Sequence, residues 1–94
     1  MRLYPDEKLA LDKALEDIDD EVYLFGSRVD DNKKGGDIDI LIYSEKNSLK
    51  LSQEVSRKFF MELDSKLDVV VFDKDNMTRE QKAFVNTLEM IRFK

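Results

Sequence analysis

The sequence predicts a small α/β protein of the α+β kind, in which a three-stranded mixed sheet packs against helices. Two segments rich in β-branched residues, DIDILIY at 37–43 and LDVVVF at 67–72, are typical of strands. Between them, residues 48–63 carry apolar side chains at every fourth position, which is typical of a helix that buries one face. A chain of 94 residues has room for one hydrophobic core, so residues 1–94 are expected to form a single domain.

Local patterns predict the elements before the 37–43 strand. Pro5 suits the first turn of a helix, and the apolar spacing that follows predicts a helix over 5–18. The segment EVYLF at 21–25 predicts a strand. All three glycines fall within 26–36, which is expected to be a loop with one helical turn after Ser27. Its length permits the two strands that it joins to run antiparallel.

A last helix is predicted after the third strand. Thr78 and Gln81 have the spacing of a capping box, in which each side chain bonds the backbone of the other residue. Phe84, Leu88 and Ile91 then form its apolar face.

Composition excludes several classes of chemistry. Cysteine and histidine are both absent, which rules out disulfides, Cys/His zinc sites, thiol nucleophiles and Ser-His-Asp triads. A net charge of -5 argues against broad nucleic-acid binding, which needs a basic face. The longest apolar runs are four residues, so no membrane span or signal peptide is expected, and the cytoplasm is the expected location.

Asp37 and Asp39 form the first candidate catalytic pair. Side chains at positions i and i+2 of a strand share a face, so the two carboxylates should point the same way, with their Cα atoms about 7 Å apart. Carboxylates this close repel unless they are solvated or share divalent cations. Mg²⁺ prefers one or two carboxylates together with water and phosphate oxygens. The pair is therefore a candidate metal platform for phosphoryl or nucleotidyl transfer.

Asp68 is the third candidate carboxylate. It opens the third predicted strand and shares a face with Val70 and Phe72. If this strand lies beside the second, Asp68 points at the same cleft. It would there complete a second metal site or accept the proton of an attacking hydroxyl.

Gly26 and Ser27 end the first predicted strand and form the candidate nucleotide-binding turn. Free backbone N–H groups and a hydroxyl at such a turn bind phosphate. Arg28 adds positive charge beside them, as do Lys33 and Lys34, although a solvated loop is the simpler explanation of the two lysines.

With these residues in view, the run LFGSRVDDNKKGGDIDILI at 24–42 resembles the signature of the polymerase-beta-like nucleotidyltransferases. The chain is most similar in size to the minimal nucleotidyltransferases of bacteria and archaea. The likeness covers the whole chain in outline, and 24–42 and 67–72 closely. It implies the small nucleotidyltransferase fold and a Mg²⁺-dependent transfer from a nucleoside triphosphate.

The resemblance also implies roles for individual residues. Gly26 and Ser27 would hold the triphosphate of ATP. Asp37 and Asp39 would bind two Mg²⁺ ions, and Asp68 would lie near the acceptor and complete the metal site.

A partner protein is a further implication of the resemblance. Minimal members are commonly encoded beside a helical HEPN-type toxin, and some transfer AMP onto a tyrosine of that toxin and so act as its antitoxin. The resemblance thus implies a hetero-oligomer in which the partner presents the acceptor.

The loop departs from the family pattern in two ways. Many relatives read Gly-Ser-x-Ala-Arg-Gly, whereas here Arg28 is followed by Val29, Asp30 and Asp31, so the second arginine is missing. Nine residues separate Ser27 from Asp37, where ten is more usual. The departures bear on nucleotide affinity and choice more than on fold.

Two alternatives remain open at this level. The altered loop favours a non-catalytic antitoxin that neutralises its partner by contact alone. A transferase acting on a small molecule such as an aminoglycoside is the third reading, against which the absence of an acceptor-binding domain argues.

Overall fold

The computed structural model of the chain describes residues 1–30, 32 and 36–94. In chain order, its elements are helix α1 (Pro5–Ala14), strand β1 (Glu21–Phe25), a 3₁₀ turn (Gly26–Arg28), strand β2 (Ile38–Tyr43), helix α2 (Ser48–Leu63), strand β3 (Leu67–Phe72), helix α3 (Arg79–Asn86) and strand β4 (Ile91–Arg92).

The strands form one mixed sheet in the order β3-β2-β1-β4. β2 pairs antiparallel with β1, as the loop between them permits, and parallel with β3, which is reached through α2. The predicted fold class is confirmed. The central position of β2 means that its two neighbours can bring side chains to it from both sides.

The hydrophobic core lies between the sheet and two helices. Alternate residues of β2, Ile38, Ile40 and Ile42, are almost completely buried on this side. α1 and α2 supply the opposite wall, with Leu11 and Phe59 fully buried. The other face of the sheet therefore carries the remaining residues of each strand.

α3 covers part of this second face. The Phe84 ring makes edge-to-face contacts with Phe25 and Phe72, with ring centroids 6.1 and 6.2 Å apart. Phe84 itself stays 40% exposed, and no residue of α3 is buried. α3 therefore covers this face of the sheet only in part.

The elements differ from the sequence prediction at two ends. α1 ends at Ala14 instead of residue 18, yet Ile18 is buried, because a turn carries it back to the core. The last helix does not include Ile91, which lies in β4 opposite Leu24. Strand pairing here satisfies backbone groups at the free edge of β1, and an apolar residue fits a short strand as well as a helix. The sheet thus has a fourth strand that the sequence did not predict.

None of the helices in the described part of the chain combines the length and the apolar character needed to cross a membrane.

A buried ion pair ties α1 to the turn after β1. Arg28 and Glu7 are each 8% exposed. The Arg28 Nη1 and Nη2 atoms donate to the two Glu7 carboxylate oxygens at 2.6 and 2.8 Å. These hydrogen bonds hold the pKa of Glu7 below its ordinary value of 4.5, against the opposing effect of burial.

Replacing Glu7 by Gln is expected to reduce the free energy of unfolding by about 3 kcal/mol, because it leaves the buried guanidinium without its counter-charge. Since the pKa of Glu7 is lowered on folding, its contribution is complete above pH 4.5 and is lost as pH falls through the lowered pKa. Urea unfolding between pH 3 and pH 7 measures both effects. The control is Asp12→Asn, in the exposed Lys8–Asp12 pair, which should change stability by less than about 1 kcal/mol. Equal losses for the two variants would contradict the assignment.

Candidate active site

The parallel ladder between β2 and β3 places Asp39 directly beside Asp68. Paired residues on neighbouring strands point to the same face, so both carboxylates lie on the face opposite the core. The two carboxyl groups are within hydrogen-bonding distance of each other, and both residues are partly exposed. The structure thus brings together two of the three carboxylates that the sequence singled out.

The surroundings of Asp39 favour the protonated form of its carboxyl group. Burial raises its pKa above the ordinary value of 3.8, and the charge of Asp68, the hydrogen bond with Asp68 and the charge of Asp37 raise it further. Lys66 acts in the opposite direction, and its Nζ lies 3.3 Å from Asp68 Oδ1. Within the described part of the chain, Lys66 is the cation that acts on Asp39, and a divalent cation would supply further positive charge.

Asp37 immediately precedes β2 and is exposed. Its charge reaches both Asp39 and Arg28, since it raises the pKa of each. Asp37 therefore lies near the pair.

Gly26 brings the backbone of the turn against the Asp39 carboxylate. A Cβ atom on Gly26 would lie 2.5 Å from Asp39 Oδ2, and its φ of +79° is one that side-chain-bearing residues rarely adopt. Only glycine therefore fits at this contact. The predicted turn and the predicted metal platform touch each other.

The far end of the loop closes on Ser27. Gly36 has a φ of +88°, and a Cβ at this position would overlap Ser27 Oγ. The Ser27 hydroxyl is therefore enclosed between the start and the end of the loop, beside Gly26. Asp31, Lys33 and Lys34 lie outside the described residues, so a phosphate contact of either lysine stays a prediction.

Arg28 faces inward at this turn. Besides the two bonds to Glu7, its Nε donates to the Gly36 carbonyl oxygen at 2.9 Å and its Nη1 to the Arg2 carbonyl oxygen at 3.0 Å. The guanidinium thus joins α1 and both ends of the loop. A direct nucleotide contact of Arg28 stays a prediction, and in this structure the side chain shapes the site.

Sequence reasoning missed three residues that contribute to this arrangement. Glu7 and Arg2 are distant in sequence from the loop and carry no local signal. Lys66 had a weak signal, as a cation two residues before the third candidate carboxylate.

A second acidic group lies at the other ends of the same strands. Among the described residues, Glu45, Asp73 and Asp75 are the three carboxylates that can place oxygens within 4.8 Å of one another and so hold a metal ion. They follow β2 and β3, about 17 Å along the strands from the Asp39–Asp68 pair. Asp73 accepts hydrogen bonds from the Asp75 N–H and the Asn76 side-chain amide, so this group forms a local turn.

Replacing Asp39 by Asn is expected to stabilise the metal-free protein at pH 7 by about 1 kcal/mol, because the repulsion from Asp68 is removed. The pKa of Asp39 is raised on folding, so its ionisation destabilises the fold as pH rises through that pKa. The gain should therefore shrink as pH falls toward 3.8.

Melting temperatures in EDTA between pH 4 and pH 8 measure this gain. Asp19→Asn is the control, since Asp19 is an exposed aspartate outside the site. A loss of stability in Asp39→Asn at pH 7 would contradict the repulsion that the geometry predicts.

Comparison with known proteins agrees with this geometry. A family model described as polymerase beta, nucleotidyltransferase matches residues 9–91. A comparison with curated proteins found no match. The family match spans most of the chain and contains the whole segment from Gly26 to Asp68, so the chain belongs to the polymerase-beta nucleotidyltransferase family.

Proposed function

We propose that this protein is a Mg²⁺-dependent enzyme that transfers AMP from ATP to a tyrosine hydroxyl of a HEPN-type partner toxin, and that it thereby acts as the antitoxin of that partner. Membership of the family supports nucleotidyl transfer. The observation that carries the proposal is the Asp39–Asp68 pair, with Gly26 packed against Asp39. This contact supports a site in which the turn binds phosphate beside two carboxylates that bind the metal ions.

The residues of the site fit Mg²⁺. Asp39 and Asp68 offer hard oxygen ligands. The charge of Asp37 raises the pKa of Asp39, but the Asp37 oxygens do not converge with those of the pair as closely as the oxygens of the second acidic group converge. Burial raises the pKa of Asp39, and the charges of Asp68 and Asp37 raise it further, so a bound cation would stabilise the ionised carboxylate. When bound, two Mg²⁺ ions would supply Lewis-acid polarisation of the α-phosphate and would neutralise the leaving pyrophosphate.

The protein's own groups bind and orient the reactants. The backbone N–H groups at Gly26 and Ser27, with the Ser27 hydroxyl, hold the phosphates. Asp68 accepts the proton of the acceptor hydroxyl. A bond forms between the hydroxyl oxygen and the α-phosphorus as the bond from that phosphorus to the bridging oxygen breaks. Pyrophosphate leaves, and AMP stays on the acceptor.

The position of Asp68 supports an acceptor on a second protein. β3 is at the edge of the sheet, and Asp68 is partly exposed there. On α2, which packs beside β3, Phe60 and Met61 are 54% and 73% exposed. Exposed apolar side chains of this size are typical of surfaces that bind another protein. Because α2 lies on the core side of the sheet and Asp68 on the opposite face, a helical partner would bind around the edge strand β3 to present its hydroxyl to Asp68.

Replacing Asp39 or Asp68 by Asn is expected to reduce AMP transfer at least about a hundredfold. Mutation of a residue that only hydrogen-bonds to a metal ligand already lowers metal affinity or activity about 10- to 100-fold. Asp75→Asn, in the other acidic group, should leave the rate unchanged. The assay incubates each variant with a HEPN-type toxin, Mg²⁺ and one of the four ribonucleoside triphosphates, and mass spectrometry locates the added nucleotide.

Transfer by Asp39→Asn at the wild-type rate would contradict the site. Loss of transfer in Asp75→Asn alone would move the metal site to the other end of the strands.

A second candidate function, neutralisation by contact alone, is favoured by the exposed Phe60 and Met61 side chains. The variant carrying both Asp37→Asn and Asp39→Asn distinguishes the two. If this variant still neutralises the toxin in cells, the protein acts as a binding module.

A further inference from the structure

We propose that Arg2 is a positioning residue for the triphosphate site, and that nucleotide binding depends on the segment before α1. Arg2 would hold the turn at Gly26, Ser27 and Arg28 in the shape that accepts phosphates. The inference rests on the proposed function and adds to it a residue outside the family motif.

The Arg2 side chain spans the outside of the turn. Its Nη2 donates to the Ser27 carbonyl oxygen at 2.8 Å, and its Nε donates to the Asp30 carbonyl oxygen at 2.9 Å. One planar guanidinium thus binds the backbone at two points three residues apart. This rigid fork fits the two oxygens in a way that the single ammonium of lysine does not.

The backbone of Arg2 adds two bonds to the same turn. Its N–H donates to the Arg28 carbonyl oxygen at 2.7 Å, and its carbonyl oxygen accepts from Arg28 Nη1 at 3.0 Å. Arg28 in turn is fixed by the buried Glu7 carboxylate. The segment at Arg2 is therefore docked firmly on the turn.

These contacts decide how the turn meets a phosphate. A peptide unit is planar, so the bond to the Ser27 oxygen fixes the plane of the Ser27–Arg28 peptide, and with it the backbone that directly follows the Ser27 N–H and hydroxyl. Carbonyl oxygens carry partial negative charge and repel phosphate. The Arg2 guanidinium binds the carbonyl oxygens of Ser27 and Asp30, and its positive charge offsets their partial negative charge. With Arg28, two guanidinium groups are thus bound at the turn.

The test compares wild type with Arg2→Gln and Arg2→Lys, and uses Arg79→Gln as the matched control. Arg79 is exposed, opens α3 and takes no part in the turn. Calorimetry measures the dissociation constant for α,β-methylene ATP with Mg²⁺, since this analogue resists cleavage at the α-phosphate. Amide hydrogen exchange, without nucleotide, measures protection of residues 24–30 and of α2.

We expect Arg2→Gln to weaken nucleotide binding about tenfold and to speed exchange at residues 24–30 while α2 stays protected. Arg2→Lys keeps the charge and loses the fork, so its affinity should fall between those of wild type and Arg2→Gln. Arg79→Gln should match wild type in both measurements.

Several outcomes would overturn the role of Arg2. Wild-type affinity in Arg2→Gln would do so, as would weaker binding with unchanged exchange at the turn, which would make Arg2 a direct ligand contact. If amide exchange speeds up equally in α2, Arg2 stabilises the whole fold and has no specific effect on the turn. A wild-type protein that binds no nucleotide would overturn the proposed function as well.

Discussion

The backbone register between β2 and β3 holds two carboxylates together that would otherwise separate. Asp39 and Asp68 are paired across the strands. Burial raises the pKa of Asp39, and the charge of Asp68 raises it further, because the two carboxylates repel each other when ionised. Six residue pairs between β2 and β3 hold the two carboxylates close together. Burial of the β2 isoleucines in the core fixes the register of these pairs. Core packing on one face of the sheet thus pre-assembles a charged pair on the other. A cation that binds both carboxylates would offset this repulsion.

The turn after β1 is the second fixed part of the site. Arg28 has the position of a phosphate-binding cation in the sequence, yet its guanidinium is buried against Glu7 and bonds the far end of the loop. A buried charge needs a partner, which Glu7 supplies to Arg28. The remaining hydrogen bonds of the Arg28 guanidinium fix the backbone of the loop and of Arg2. Gly26 and Gly36 then allow the close contacts that a side chain would block. If the turn binds phosphate as proposed, it does so through its backbone, so residues that hold the backbone would contribute without touching the ligand.

The two acidic groups illustrate why composition alone does not locate a metal site. The Glu45, Asp73 and Asp75 oxygens converge more closely than those of the three motif aspartates. Asp73, however, already accepts hydrogen bonds from the turn in which it lies. Asp39 has a like-charged neighbour, a raised pKa and the glycine turn at Gly26 in contact with it. These surroundings, more than the number of carboxylates, indicate the site.

The local elements and the motif could be predicted from the amino-acid sequence alone. Residues 21–25, 48–63 and 67–72 were predicted with the bounds that the structure shows, because periodicity and β-branched content act over short distances. The folded structure was needed to show that β3 lies beside β2 in the register that pairs Asp68 with Asp39. It was also needed to show that the residues around Ile91 pair with the free edge of β1, and that Arg28 turns inward to Glu7. Each of these depends on contacts between residues far apart in the chain, and such contacts leave no periodic trace in the sequence.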